Sequence, residues 1–399
     1  MTRMSDLDEN MVAEILCRVP MTCLKTVRSV CKTWNTLSKK GVIVAKEKQF
    51  LGFMMMNSRV CSLRYDLQGV RNEDNVVEPP SIKQISTLDQ IEVSKIYHCD
   101  GLVLCVIKDD LTRVLVWNPY LGQTRWIQFQ PKHDFHRLDR YALGYDKNSR
   151  NHKILRFVDD DYLHDVKHIL RYEIYDFSLD SWRVLDVTSD WDIAFYQRGV
   201  SVKGNTYFFA TEKLIFDEEE VGPQDIDTSG TEDFLLCFDF TAERFGPRLP
   251  LPFHSYFEET LTLSCVKEEQ LSILYQRYEP YEMDIWVSTN IDPNAVSWSM
   301  FLKLDMTPLT GFRFDFMAAS FFIDEENKVA VVFDLDRFRP DLTCRYQTAY
   351  IIGQDGYFNS VNIGEAPNLA NGKVGYTWPM FCIPLVCSSS YVPSLVQIA

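Results

Sequence analysis

The 399-residue chain has no uninterrupted apolar run near the roughly 20 residues that a membrane-crossing helix needs. Met1 to Asn10 is polar and acidic, without the apolar stretch behind a basic start that marks a secretory leader. The chain also lacks any Asn-x-Ser/Thr sequon and any Cys-x-x-Cys pair. Its eleven cysteines, an odd number, are scattered, several inside apolar runs such as Phe234-Leu235-Leu236-Cys237-Phe238. That usage fits buried free thiols in a reducing compartment, so the expectation is a protein of the cytoplasm, the nucleus or both, with no membrane partner. Glycine-rich phosphate loops, His-Glu-x-x-His and Gly-x-Ser-x-Gly are missing. No catalytic residue, metal or cofactor is expected. His164 and His168 have the spacing of one helix face, but they sit beside Asp159-Asp160-Asp161 with no cysteine near and read as a solvated loop. Asp109 and Asp110 read as turn residues rather than a hydrolase pair, and no cysteine has the base-adjacent context of a thioester carrier.

Positive charge is also short. Forty-one Lys/Arg face 56 Asp/Glu, a net charge of −15, which argues against nucleic acid as the main ligand. The imbalance is uneven: residues 1–50 carry nine basic and five acidic side chains, leaving all of the deficit to the rest of the chain. A small basic head on a large acidic body suggests two units with different partners.

Residues 1–45 read as a small all-helical domain. Ser5 or Asp8 can cap a first helix, with Asp8 and Glu9 in the opening turn that the helix dipole favours. Met11, Val12, Ile15, Leu16 and Val19 follow a helical period up to Pro20, and Leu24, Val27, Val30, Cys31 and Trp34 follow another. A hairpin of about 35 residues is marginal as a lone core. It must be completed by another surface.

From about residue 46 to 399 the pattern is all-β. Short apolar and aromatic runs lead into Asn/Asp-started turns and then a second aromatic-bearing strand. Val114-Leu115-Val116-Trp117 meets Asn118, Tyr172–Tyr175 meets Asp176, and Leu235–Phe238 meets Asp239. Ile285-Trp286-Val287 runs to Asp292, and Val329–Phe333 meets Asp334. Taking Trp117, Tyr175, Phe238, Trp286 and Phe333 as equivalents gives steps of 58, 63, 48 and 47 residues. A period near 50 holding several strands is that of β-propeller blades, and runs apolar on consecutive residues suit sheets covered on both faces. A two-sheet sandwich is the alternative. Gly204-Asn205 is expected at a hairpin bend. Residues 212–233, with nine acidic side chains and Lys213 as the one basic one, read as a solvated loop.

These features together resemble the plant-type F-box proteins with an F-box-associated, kelch-like domain. The head carries Asp6-Leu7, Glu14-Ile15-Leu16, Arg18-Val19-Pro20, Leu24, Val27-Arg28, Val30-Cys31-Lys32 and Trp34 in the family's order. The body carries Cys99–Cys105, Val116-Trp117-Asn118-Pro119, Gly144-Tyr145-Asp146, Gly199–Tyr207 and Cys237–Phe240. The resemblance implies a kelch-like β-propeller behind the helical head. It also implies a non-catalytic subunit of an SCF (Skp, cullin, F-box) ubiquitin ligase. Leu7, Ile15, Leu16, Pro20, Leu24, Val27, Val30, Cys31 and Trp34 would meet a Skp-type adaptor, and through it a cullin, while the β domain holds a target protein. Phe253, Tyr256, Phe257, Phe312 and Phe314, in two aromatic-rich loops, are the candidates for the target face. One residue departs from the pattern: Asp8 follows Leu7 where the family usually has proline, which removes an apolar ring from the docking surface. That departure motivates a second reading, a scaffold without ligase activity. A propeller enzyme is a third.

Overall fold

The computed structural model describes residues 11–12, 27, 29, 32–39, 50–65, 81–85, 88–129, 139–158, 171–194, 196–213, 231–256, 259–277, 280–308, 314, 320–336, 346–366, 385–388 and 391–398. The head contributes one helix to these, α1 (Lys32–Lys39), in which Trp34 and Leu37 are buried. Val12 is buried, Val27 half-buried and Met11 exposed. The other residues of the expected helical hairpin lie outside the described residues.

The body is a six-bladed β-propeller. Blade 1 comprises β1 (Phe50–Met56), β2 (Arg59–Tyr65) and β3 (Ser81–Gln84), with β25 (Leu385–Ser388) as its first strand. Blade 2 runs through β4 (Val93–Cys99), β5 (Leu102–Ile107), β6 (Arg113–Asn118) and β7 (Gln123–Gln128). Blade 3 runs through β8 (Arg140–Tyr145), β9 (His152–Val158), β10 (Arg171–Asp176) and β11 (Ser181–Leu185). In blade 4 the first strand is split into β12 (Trp191–Asp192) and β13 (Val200–Val202). Both pair with β14 (Asn205–Glu212), which is followed by β15 (Asp233–Asp239) and β16 (Arg244–Phe245). Blade 5 is β17 (Thr260–Val266), β18 (Gln270–Gln276), β19 (Glu282–Asp292) and β20 (Ala295–Asp305). Blade 6 is β21 (Ser320–Asp324), β22 (Val329–Leu335), β23 (Tyr346–Gly353) and β24 (Phe358–Glu365).

Burial explains the consecutive apolar runs. Alternate residues of one strand face the two neighbouring blades, so both faces of a sheet are interior. On β6, Leu115 and Trp117 pack into the core shared with blade 1, while Val114 and Val116 pack into the core shared with blade 3. Six such inter-blade cores form a closed ring, the last joining Phe322, Val331 and Phe333 of blade 6 to Met54, Leu63 and Tyr65 of blade 1. No single blade has a core of its own.

The aromatic period is real, but its last step slips by one strand. Trp117, Tyr175, Phe238 and Trp286 all lie on the third strand of their blades, whereas Phe333 lies on β22, the second strand of blade 6. The matching position on β23 is Ile352, which pairs with Ala330 and Phe358 and, like Trp117, Tyr175 and Phe238, faces the preceding blade. The β13–β14 bend is also one residue earlier than expected. Val202 pairs with Asn205, so Lys203 and Gly204 turn the chain, with φ of 51° and 82°. Positive φ at both centres is the requirement of a type I′ two-residue hairpin turn, and a Cβ at Gly204 would meet the Tyr145 ring at 2.6 Å.

The two ends of the ring differ. At one end, the turn end, lie the first-to-second and third-to-fourth strand turns, tight in blades 2 to 6 and many built on an aspartate, together with the longer β2–β3 link of blade 1. Oδ1 of Asp146, Asp176, Asp239, Asp292 and Asp324 each accepts bonds from two backbone N–H groups two and three residues on. Glu268 of blade 5 reaches across this end, accepting a bond from Asp100 N–H of blade 2 at 2.8 Å and lying 3.4 Å from His98 Nε2. From the other end, the connection end, spring the links from second to third strand and from blade to blade, among them the one that carries residues 246–256 and 259. The β14–β15 link leaves from this end too; the acidic residues 214–230 within it lie outside the described residues.

Ring closure joins the extremes of the sequence. β25 pairs antiparallel with β1, Met55 against Leu385 and Met54 against Val386. Residues 391–398 then cross the turn end of blade 2. The Tyr391 hydroxyl donates to the Gly101 carbonyl at 3.1 Å, and Asn118 Nδ2 donates to the Ser394 and Val396 carbonyls. Tyr391 sits in the core between blades 1 and 2, and Ile398 in the core between blades 2 and 3.

Candidate functional site

Two surfaces carry the residues that sequence pattern singles out. The first is the head, and it enters the propeller at Phe50, the start of β1. Because Met56 and Arg59 pair at the connection end of blade 1, Phe50 stands at the turn end. The head is therefore tethered at the end opposite most of the long connections, the β2–β3 link being the exception. Of its expected docking residues, Val27 and Trp34 are described; Leu7, Ile15, Leu16, Pro20, Leu24, Val30 and Cys31 lie outside the described residues. Trp34 is 5% exposed, so it offers almost no surface to a partner. Its large ring belongs to an interior, and the exposed apolar residue seen here is Met11.

The second surface is the connection end over blades 4 and 5. The aspartate at the start of β15, Asp233, organises it. Its carboxylate pairs with His254 Nδ1 at 2.7 Å and accepts bonds from the Ser255 N–H and hydroxyl at 2.7 and 2.8 Å. The Tyr256 N–H donates to Glu259 at 2.9 Å, and the Tyr275 hydroxyl donates to the His254 carbonyl at 3.0 Å and to Glu259. Phe253 stacks on Tyr275 with ring centroids 4.1 Å apart and 8° between planes. Tyr256 stands out, 57% exposed, with the His254 ring edge-on at 5.0 Å.

Among the candidate aromatics the outcomes diverge. Tyr256 is a surface residue and Phe253 is half-buried in support of it. Phe314 is not on any surface: it is 2% exposed in the core between blades 5 and 6, its N–H bonded to Gln276 Oε1 and its carbonyl to the Thr260 hydroxyl. A bulky ring next to a strand start is drawn into the inter-blade core. Phe257 and Phe312 lie outside the described residues. Sequence reading missed the polar frame. Asp233, Glu259 and Tyr275 hold the loop, and on the blade 3 side of the same sheet Arg248, lying over the Phe234 ring, is shared by Glu232 at 2.5 Å, Asp190 at 2.8 Å and Glu212 at 3.9 Å. Only the β14–β15 pairing, Thr211 opposite Asp233, could have placed Glu212 and Glu232 together.

No catalytic grouping emerges among the described residues. Burial pushes the Cys61 thiol up to about 11 and those of Cys105, Cys237 and Cys265 up to about 12, so these are packing residues. The described residues contain no cluster of three His, Cys, Asp or Glu that could hold a metal. His164 and His168 are not among them. Asp110 is a turn residue, accepting bonds from the Thr112 N–H and hydroxyl.

Residues 51–398 match the F-box associated beta propeller domain family, and residues 4–43 match the F-box domain family. The chain belongs to the F-box-associated β-propeller family. Among Arabidopsis thaliana relatives, the F-box protein At1g10895 is 67% identical with both chains covered end to end. The F-box/kelch-repeat protein At3g13680 is 57% identical over all of this chain and 97% of its own. Among solved structures, YjhT matches with a TM-score of 0.44 and 10% identity over 71% of this chain and 85% of that one. The F-box head and propeller body expected from the residues are thus both family features of this chain.

Proposed function

We propose that this protein is the target-recognition subunit of an SCF-type ubiquitin ligase, acting in the cytoplasm or nucleus without an active site of its own. The carrying observation is the joining of an F-box to a propeller whose chain entry lies at the end opposite most of its long connections. The F-box supports docking to a Skp-type adaptor, with Leu7, Ile15, Leu16, Pro20, Leu24, Val27, Val30 and Cys31 as contact residues and Trp34 holding the head's interior. A handful of Leu- and Ile-sized anchors, each worth about 1.5–3 kcal/mol when buried, suffices for a specific interface. The propeller's connection end would hold a target, and holding it near the loaded conjugating enzyme makes transfer nearly intramolecular.

The test is co-purification of adaptor and cullin with the full chain and with Leu24→Asp, alongside thermal melting of the propeller. Wild type should capture both partners. The variant should lose them while its melting transition stays put. Equal capture by wild type and variant would refute the assigned docking surface. Asp8 favours a second reading, a target-binding scaffold. If wild type fails to capture adaptor but Asp8→Pro captures it, that reading holds instead.

A further inference from the structure

We infer that the connection-end mouth of the ring's centre, where the first strands of blades 2, 3 and 4 begin, takes a phosphoryl group carried by the target protein, held by Lys95 and Arg198 with Arg140 beside them. The inference rests on the reading above that the propeller holds a target, and it names the chemistry that the middle of the ring selects.

Lys95 is the residue that points to a ligand. It is 9% exposed, and an ammonium has three N–H donors. Among the described residues one of the three is used, in the 2.7 Å bond to the Asp139 carbonyl. The Asp139 carboxylate is engaged by another cation, accepting from Arg156 Nε at 2.9 Å. A buried cation with two donors to spare is costly until an acceptor completes its shell. Burial lowers the Lys95 pKa to about 8, and Arg140, the first residue of β8, deepens the shift against the pull of Asp139. Groups perturbed in this way gather where a protein binds or reacts.

An irregularity of blade 4 brings a third cation to the same place. Among the described residues only blade 4 has its first strand in two pieces. Asp192 pairs with Thr211 and Val200 with Tyr207, so residues 193–199 stand against only Phe208, Phe209 and Ala210 of β14. The surplus folds out as a bulge, the Gln197 N–H bonding back to the Ala194 carbonyl at 2.9 Å. Gly199 then returns the chain so close to the sheet that a Cβ there would meet the Phe208 ring at 2.3 Å. Bulges re-aim side chains at functional rims. Beyond this one, β13 touches β4 of blade 2 across the centre. Arg198 acts on the same strand: burial pushes the Tyr97 hydroxyl up to about 12, and Arg198 and Arg140 oppose that rise. Cations of three consecutive blades thus converge in a chain of net charge −15, a local field that seats an anion. A carboxylate offers two coplanar oxygens and one charge. A phosphoryl group offers three oxygens and nearly two charges, which suits an ammonium and a guanidinium arriving from different strands.

The test uses the full chain and three fluorescein-labelled peptides, AGAXGAGA with X as phosphoserine, serine or glutamate, read by fluorescence anisotropy at pH 7. The phosphorylated probe should bind at least about tenfold more tightly than the serine one and about threefold more tightly than the glutamate one. Lys95→Met and Arg198→Gln should each weaken it about tenfold, and Arg198→Lys should recover part of the loss. Lys83→Gln, at an exposed cation of β3, should change nothing. Calorimetry of the wild type in two buffers of different ionisation heat gives a reading that needs no variant. At pH 9 Lys95 is mostly neutral, so a phosphoryl group seated beside it should draw about 0.5–1 proton onto the protein per peptide bound. Equal affinity for the phosphoserine and serine peptides, or binding without proton uptake, overturns the proposal. A glutamate probe that binds as well as the phosphorylated one overturns it in favour of any carboxylate, and equal loss from Lys83→Gln and Lys95→Met in favour of bulk attraction. Adaptor capture, measured on the same samples, judges the ligase reading separately: lost peptide selectivity with adaptor capture intact overturns only the present inference.

Discussion

Arg156 and Lys95 are cations placed where water does not reach, and they show what buried charge does in this ring. Arg156 is fully buried, held by Asp139 and by Glu173 at 3.2 Å, with the Phe129 ring 4.4 Å away. Lys95 has a thinner shell: its Nζ donates to the Asp139 carbonyl at 2.7 Å. Burial pulls its pKa from the ordinary 10.5 to about 8, the Asp139 carboxylate opposing that shift and Arg140 adding to it. The unfolded chain keeps this proton up to 10.5, so between pH 8 and 10.5 it binds more protons than the folded chain, and stability rises with pH. Below pH 8 the full penalty, roughly 3 kcal/mol, is present. In urea titrations, the stability of Lys95→Met relative to wild type should therefore fall by about 2–3 kcal/mol from pH 7 to pH 10. A difference that does not vary with pH would show that Lys95 carries its charge there at no cost. The thiols make a second expectation. Native protein treated with a maleimide at pH 8 should leave Cys61, Cys99, Cys105, Cys237 and Cys265 unlabelled by peptide mass mapping, and all five should react in guanidinium. The buried-thiol reading was legible because these cysteines sit in apolar runs. The fate of single aromatics was not: with 13% aromatic residues and six inter-blade cores to fill, Phe314 and Tyr256 look alike in sequence.

Turns are the legible elements, because their chemistry is local. An aspartate at the end of a third strand was a sound signal at Asp176, Asp239 and Asp292, since the carboxylate caps the next two free N–H groups whatever the tertiary context. At Asp176 the same oxygen also accepts bonds from the Ser178 hydroxyl and from Asn151 Nδ2 at 2.7 Å, tying the β10–β11 turn to the β8–β9 turn. Asp176→Ala should cost about 2 kcal/mol, read as a lower denaturation midpoint with an unchanged slope. Asp176→Asn, which keeps the acceptor, should recover most of it. Strand phase was less legible. In blade 6 both β22 and β23 are buried almost from end to end and carry an aromatic, Phe333 on one and Tyr350 on the other, so the pattern did not say which was the third strand. The split first strand of blade 4 left no pattern either, for β12 is only two residues long.

At the scale of the molecule, stability is a property of the closed ring. Removing residues 385–399 takes away the first strand of blade 1 and the strap that fills two inter-blade cores. The truncated chain should lose its cooperative thermal transition and bind a hydrophobic dye at 25 °C. Deleting residues 1–49 should leave the propeller's transition where it was and abolish adaptor capture, since no strand of the ring comes from the head. The propeller class was legible from its period and from strands apolar on both faces. The use of a C-terminal strand to finish blade 1 was not, because Leu385–Ser388 has no distinguishing pattern and its partner lies at the far end of the chain.

That splice sets a timetable for biosynthesis. β1 and β2 leave the ribosome before every other strand of the ring, yet the strand that covers β1 is translated after all of them. Until Ser388 has cleared the exit tunnel, the nascent chain carries an uncovered strand edge at blade 1 and an open seam between blades 6 and 1. Pairing with another polypeptide is a hazard of such an edge. Chaperone demand during synthesis should therefore peak late, and pausing codons placed just before Leu385 should lower the yield of soluble protein more than the same codons placed before blade 3.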